Sequence, residues 1–427
     1  MSLAATRRSF LGGFVGVAGA TYLKSAAASS GALAARLALA PAARLAGSES
    51  YWSLVKEQFP LRHGVIPLNA ANLCPSPRVV AERVAELTRD IDSDVSFQNR
   101  AKFAVTLAES RRKVAEQLGV EPEEIALVRN TSEANNVVNN GMHLKSGDEV
   151  VLFDLNHPTN NVAWEVRAAR FGFTVKKVSV PRDVKDAGAI LKLFEESLTP
   201  RTRVLAITYV TNNTGIRLPA AELCEMARRR GIHAHVDGAQ AWGALNLNLR
   251  RLGCDSFAAS AHKWFMGPKE AGVLYVRKER LGELWPNIVG ADWGAKIETG
   301  LPGARKFESL GQRDDACLAA VGTAVDFHRI LGPERVEARV MELAAALKDG
   351  LSRIRTVRMV TPMDPRLSAG VCIARFEGAD FKKVYDEVYA KHGIAGAPTG
   401  GLRLCPHVYN TMEDVEEAVR AVAEAAA

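Results

Sequence analysis

Ser260-Ala261-His262-Lys263-Trp264 sets a lysine directly after an apolar run, bracketed by a hydroxyl and an imidazole. A lysine amine that is desolvated, or placed near other cations, can form an imine with an aldehyde cofactor. The Ser and His beside it can hydrogen-bond a phosphate. The same five residues also suit a solvated lysine at a strand end. His235-Val236-Asp237-Gly238-Ala239-Gln240 adds a carboxylate at the end of another apolar run. A carboxylate there can keep a pyridine nitrogen protonated, so that the ring accepts electrons from a substrate carbanion. Gln240, three residues further on, can reach a phenolic oxygen of such a ring. Asp-Gly is otherwise ordinary turn chemistry.

Three more segments have this character. Arg129-Asn130-Thr131-Ser132-Glu133-Ala134-Asn135 follows a short apolar run and opens a helical pattern. Free amides and hydroxyls at a helix start can hold a phosphate, or can serve only as a cap. Asp154-Leu155-Asn156-His157-Pro158-Thr159-Asn160 offers an imidazole that can lie over a ring or act structurally. Val210-Thr211-Asn212-Asn213-Thr214-Gly215 offers amides for an anionic oxygen, or a turn.

Such residues work together only if the chain brings them to one place. Val79 to Ile91 and Val105 to Leu118 read as amphipathic helices, the second stopped by Gly119. Glu124 to Val128, Glu149 to Asp154, Thr174 to Val180, Val204 to Val210, His233 to Asp237 and Ser256 to Ser260 read as strands. Residues 160–171, 186–198 and 219–230 between them read as helices. Strands alternating with helices of this length predict βαβ units and a mostly parallel sheet. Nearly continuous apolar strands fit a sheet covered on both faces. Ligands of such sheets sit beyond the carboxyl ends of the strands, where the polar segments above all fall. After residue 314 the pattern changes. Residues 315–354 are largely helical. Val357 to Thr361, Gly370 to Phe376 and Leu402 to Leu404 read as strands. Thr411 to Ala425 reads as a closing helix with Thr411 as its N-cap. The expected division is a leader and linker at 1–46, a large α/β domain at 47–314 and a smaller α+β domain at 315–427.

Helix-opening Thr-Ser, then His, Asn, Asp-x-x-Gln and Ser-x-His-Lys, in this order and each after a strand, resemble the class V aminotransferase family. These are fold-type I pyridoxal-phosphate (PLP) enzymes, and they include cysteine desulfurases and isopenicillin-N-epimerase-like proteins. The resemblance runs from residue 65 to 427. It implies pyridoxal 5'-phosphate as cofactor, with Lys263 as the Schiff-base lysine. It implies Asp237 at the pyridine nitrogen and His157 stacked on the ring. Asn212 and Gln240 would lie near the phenolic oxygen, and Thr131, Ser132, Ser260 and His262 would hold the phosphate. Arg403, in Leu402-Arg403-Leu404-Cys405-Pro406-His407, resembles the family's carboxylate-binding arginine, a role suited to a guanidinium. The resemblance also implies a homodimer with sites near the interface.

Two departures stand out. Gly311-Gln312-Arg313-Asp314 resembles a family segment whose threonine reaches the partner subunit's phosphate, and Gln312 replaces that threonine. Residues 380–400 contain no cysteine, where desulfurases carry their nucleophile. Cys405 shares a strand face with Arg403 if that segment is a strand, which leaves both a reactive and a packed Cys405 open. The implied function is a PLP enzyme acting on an amino acid or related amine, with epimerase, lyase and transaminase chemistry all open. The alternatives are a desulfurase-like enzyme and a PLP-binding protein without turnover.

The composition agrees with a soluble enzyme. Of 427 residues, 47% are hydrophobic and 24% charged, enough for a large core. The formal charge of +7 comes mostly from residues 1–46, which hold five basic side chains and no acidic one. The remainder carries no dense basic stripe, so nucleic acid is not an expected partner. Thr6-Arg7-Arg8-Ser9-Phe10-Leu11, a Gly-rich apolar stretch and Ala26-Ala27-Ala28 follow the order of a secretory signal. The paired arginines resemble a twin-arginine signal, which implies export in folded form to the periplasm and no stable membrane insertion after cleavage. A leader that stays attached is the other reading. Cys74, Cys224, Cys254, Cys317, Cys372 and Cys405 form no C-x-x-C pair. They are expected as small buried hydrophobes rather than as a metal site, with pairing open if the chain is exported.

Overall fold

A computed structural model describes residues 48–181, 184, 186–290 and 301–427. The leader with Arg7 and Arg8 lies outside them. Seven strands form the main sheet: β1 (Ile125–Val128), β2 (Glu149–Phe153), β3 (Thr174–Val178), β4 (Thr202–Thr208), β5 (His233–Asp237), β6 (Ser256–Ser260) and β7 (Gly272–Val276). Their order is β1-β7-β6-β5-β4-β2-β3. All run the same way except β7, which is antiparallel to both β1 and β6. That strand was not among those expected. It is short, and the chain doubles back into it directly after the Lys263 loop.

The strands are apolar on both faces because both faces are covered. Val150 and Leu152 pack on one side with Val204 and Ala206. Val151 and Phe153 pack on the other with Leu205 and Ile207. This is the period of two that a pleated strand imposes. Exposed positions are confined to β3, at the sheet edge, and to Arg203 near the start of β4. Gly238, just past β5, is required by a close approach, since a Cβ there would stand 1.9 Å from Phe257 Cζ.

The covering helices are α1 (Glu49–Lys56), α2 (Arg78–Ser93), α3 (Phe103–Leu118), α4 (Thr131–Gly141), α5 (Pro158–Phe171), α6 (Ala187–Ser197), α7 (Ala220–Arg229) and α8 (Asp315–Leu331). The helix α8 packs on α2 and α3. The chain changes layer at Gly332, before α9 (Pro333–Ser352). From there β8 (Val357–Met359), β9 (Cys372–Phe376), β10 (Ala397–Pro398) and β11 (Leu402–Leu404) form an antiparallel sheet in the order β10-β11-β9-β8. It shares a core with α9, α10 (Phe381–His392) and α11 (Met412–Ala425). Thr411 caps α11 through a reciprocal bond pair with Asp414, at 3.2 and 3.0 Å.

Helix α1, which has no counterpart in the sequence reading, is tied to this second layer by charge. Arg339 on α9 donates to Glu49, and Lys56 donates to Asp414 at 2.8 Å. All six cysteines are free and buried. Burial pushes the Cys405 thiol above its usual range. Among the described residues no helix is long and apolar enough to cross a membrane.

Candidate active site

Because β2, β4, β5 and β6 are parallel, their carboxyl ends share one edge of the sheet. The segments that leave them enclose a cavity of about 210 Å³. Thr131, Ser132, His157, Asn212, Asp237, Gln240, Ser260, His262 and Lys263 all line it. Nine residues spread over more than a hundred positions thus converge on one space.

At one end, α4 begins against the end of β6. The Thr131 amide donates to Ser260 Oγ at 2.8 Å, and the two hydroxyls are 2.6 Å apart. Asn130 caps the helix by accepting from the Glu133 amide. The helix start and its paired hydroxyls suit an anion. His262 is half-buried beside them. Burial first, and the Lys263 charge second, lower it to about 4. Its Nδ1 has no protein partner.

Asp237 stands at the other end, buried at the tip of β5. Its Oδ2 accepts from Asn135 Nδ2 at 2.9 Å, and its Oδ1 from the Ala239 amide at 3.0 Å. Gln240 is held with a defined amide orientation. Trp264 Nε1 is a donor only, so it must meet Gln240 Oε1, at 2.7 Å. Gln240 Nε2 then donates to the Ala71 carbonyl at 3.0 Å and keeps a second N–H. His157 caps α5. Its Nδ1 accepts from the Thr159 amide at 3.3 Å and lies 2.6 Å from the Thr159 hydroxyl. A neutral ring held this way carries its proton on Nε2. Burial holds its pKa below the usual value.

Lys263 is half-buried in the loop between β6 and β7. Burial lowers its pKa, the Arg403 charge lowers it further, and Asp237 opposes both. The loop is braced by its own backbone. Met266 N–H donates to the Lys263 carbonyl at 2.8 Å, and Met266 is the one non-glycine residue with positive φ, 53°, among those described. His407 Nε2 donates to the Trp264 carbonyl at 2.7 Å, and His328 Nε2 to the Phe265 carbonyl at 2.9 Å. Arg403 on β11 is buried. Its Nη1 donates to the Asn212 carbonyl at 3.1 Å and its Nη2 to Asn69 Oδ1 at 3.3 Å, while its Nε has no partner. Gln312 is instead exposed and accepts from Arg100 at 2.8 Å.

The bracing histidines make the loop acid-sensitive. Burial pushes His328 down to about 4 and His407 to about 3. An unfolded histidine titrates near about 6.5. The stability tied to these neutral rings is therefore fully present above about pH 6.5 and is lost as pH falls toward their folded values. Each costs about 1.4 kcal/mol per pH unit across that window. Chemical denaturation from pH 7 to 4 is expected to show this decline, and the double variant H328Q/H407Q is expected to make it shallower, with His235 and His262 supplying what remains.

Sequence reasoning passed over Asn135, Thr159, Asn69, Trp264 and the two bracing histidines. Asn135 had a readable signal: it lies four residues after Thr131, on the same helix face. Thr159 sits two residues from His157 and lines the cavity itself, while Asn69 and the two bracing histidines reach the site only through contacts distant in sequence.

The residues present fit PLP. They offer hydroxyl donors, an unpartnered imidazole nitrogen, a buried carboxylate and a lysine, all lining one cavity. Fold and site together define a fold-type I PLP-dependent enzyme. The family model for class-V aminotransferases matches residues 68–422, and the chain belongs to that family. Isopenicillin N epimerase of Amycolatopsis lactamdurans is 33% identical over 393 residues, spanning 87% of this chain and 98% of that one. A probable cysteine desulfurase of Methanothermobacter thermautotrophicus is 27% identical over 85% of this chain and 95% of its own. The solved structure of the cystine C–S lyase C-DES with its product cysteine persulfide matches with a TM-score of 0.79 at 26% identity. It covers 86% of this chain and 99% of its own.

Proposed function

We propose that this enzyme moves the α-proton of an amino acid whose carboxylate is held by Arg403, with Lys263 Nζ as the group that carries the proton. The observation that carries this reading is the convergence of Lys263 and Asp237 on one cavity, with the Arg403 charge near enough to act on the lysine amine. In this reading Lys263 is also the point of covalent attachment for PLP. Thr131, Ser132, Ser260 and His262 bind the phosphate, His157 covers the ring, and Asn212 and Gln240 approach its phenolic oxygen. When bound, PLP draws electrons from the substrate α-carbon through a pyridine protonated opposite Asp237. Lys263, its proton affinity lowered by burial, takes the proton from the α-carbon or returns it. Return of the proton to the opposite face of the α-carbon gives epimerisation, and its return to the cofactor instead of the α-carbon gives transamination. Loss of a β-substituent gives a lyase. No cysteine lies in 380–400, and Cys405 is buried, so persulfide chemistry on this chain is disfavoured. The test is deuterium uptake at Cα, followed by NMR for a panel of amino acids in D₂O. Inverted, keto-acid or sulfide products then identify the reaction, and a panel without α-exchange by the PLP-loaded protein removes the proposal.

A homodimer belongs to the same reading. Phe97 is 87% exposed at the start of the short helix Phe97–Arg100, whose Arg100 contacts Gln312, and Ile288 is 48% exposed in a cleft that Gln312 also lines. Exposed apolar side chains around one cleft favour burial against a second copy. Sedimentation is expected to give twice 46.1 kDa, and F97D with I288D to shift it toward the monomer with reduced activity. An active wild-type monomer would remove this proposal.

We also propose export to the periplasm by the twin-arginine route, on the strength of Arg7-Arg8 before a Gly-rich apolar run. Distant segments, from Thr131 to Lys263, build the cofactor site, so a chain exported folded can carry PLP with it. Cell fractionation is expected to lose the periplasmic pool when Arg7 and Arg8 are both changed to Lys.

A further inference from the structure

We infer that a file of buried side chains behind Asp237 fixes the orientation of that carboxylate, with Asn135 and His235 as positioning residues for the cofactor. The inference rests on the proposal that Asp237 meets the pyridine nitrogen. Asn135 Nδ2 donates to Asp237 Oδ2 at 2.9 Å, and Asn135 Oδ1 lies 2.9 Å from His235 Nε2. His235 Nδ1 is 2.8 Å from Ser256 Oγ, which is 2.9 Å from His233 Nε2. The file ends at His233 Nδ1, 3.8 Å from Glu283 at the protein surface. Asn135, His235, Ser256 and His233 are all buried.

The protons in this file have one consistent arrangement. An ionised carboxylate only accepts, so the Asn135 nitrogen must face it and the Asn135 oxygen must face His235. His235 Nε2 therefore carries a hydrogen. A neutral ring then has a bare Nδ1, which accepts from the Ser256 hydroxyl. Burial keeps that ring neutral. Ser256 has now given its only proton, so its oxygen accepts from His233 Nε2–H. Every donor points toward Asp237.

A chain polarised in one direction strengthens each of its bonds. It makes the Asn135 amide a better donor to Asp237. Asn135 also decides what the file cannot do. An amide passes polarisation through its O and N, but it has no proton on oxygen to hand on. The file is therefore a clamp on orientation, not a proton conduit. The Ala239 amide on Oδ1 completes the hold, leaving the carboxylate's remaining lone pairs for the cavity.

The experiment compares full-length, PLP-loaded wild type with His235→Phe, His235→Gln and Ser256→Ala. It reads the position of the visible band and the affinity for PLP from its titration. His235→Phe is expected to weaken PLP binding about tenfold and to move the band, since a hydrogen bond to a charged group is strengthened through this chain. His235→Gln, whose Nε2 can donate to Asn135 in place of the ring, is expected to restore most of both. Ser256→Ala keeps the ring and is expected to fall between. A folded His235→Phe protein with wild-type band and affinity overturns the inference, as does a His235→Gln protein as defective as His235→Phe. If His235→Phe does not fold, wild-type behaviour of Ser256→Ala overturns it. A wild-type protein without a visible band, or with borohydride-reduced PLP on another lysine, overturns the parent reading and the inference with it.

Discussion

A Lys263→Ala protein is expected to lose its visible cofactor band on desalting and to slow α-proton exchange about a thousandfold or more. Two functions leave with one amine, the covalent hold on the cofactor and the group that moves the proton. The fold is expected to survive. The loop after Lys263 is held by carbonyls accepting from His407, His328 and Met266, and none of these bonds uses the lysine side chain. Circular dichroism and the denaturation midpoint should therefore match wild type while exchange collapses. Peptide mapping of the borohydride-reduced wild type should put the adduct on Lys263. Exchange at the wild-type rate in Lys263→Ala would show that another group carries the proton.

Arg403→Ala is expected to raise KM strongly for carboxylate substrates and to leave the PLP spectrum unchanged. The loss in kcat/KM should be about 2–4 kcal/mol, because the charge sits in a buried setting where water cannot replace it. Truncation also leaves Asn69 Oδ1 and the Asn212 carbonyl without their donor, which adds to the cost. Arg403→Lys is expected to recover only part, since one ammonium cannot reproduce a planar fork held at two points. Equal kinetics for wild type and Arg403→Ala on an amino acid would remove Arg403 from substrate binding.

Much of the fold was legible because its signals are local. The run Glu149 to Asp154 is apolar at every inner position, and a strand covered on both faces must be. Thr411 followed three residues later by Asp414 is a capping pair that needs no tertiary information. Gly272–Val276 was harder, because its five residues resemble any short apolar turn-and-strand, and its antiparallel direction depends on where the Lys263 loop returns. Glu49–Lys56 was harder still. Its place is decided by ion pairs to Arg339 and Asp414, nearly three hundred residues or more away in sequence.

Residue type and order along the chain determined which groups could do chemistry here. A lysine, a carboxylate, an imidazole and paired hydroxyls, each at the end of an apolar run, can serve one cofactor only if those runs are parallel neighbours. The alternation of strand and helix already implied that they are. Tertiary structure alone decided how each group is held. Asn135 and Asp237 are 102 residues apart, and nothing local to either marks them as a bonded pair. The flip of Gln240 follows from Trp264, and the set of Arg403 from Asn69. Hydrogen bonds are directional and short in range, so their partners are fixed only when packing has brought distant segments within about 3 Å of each other.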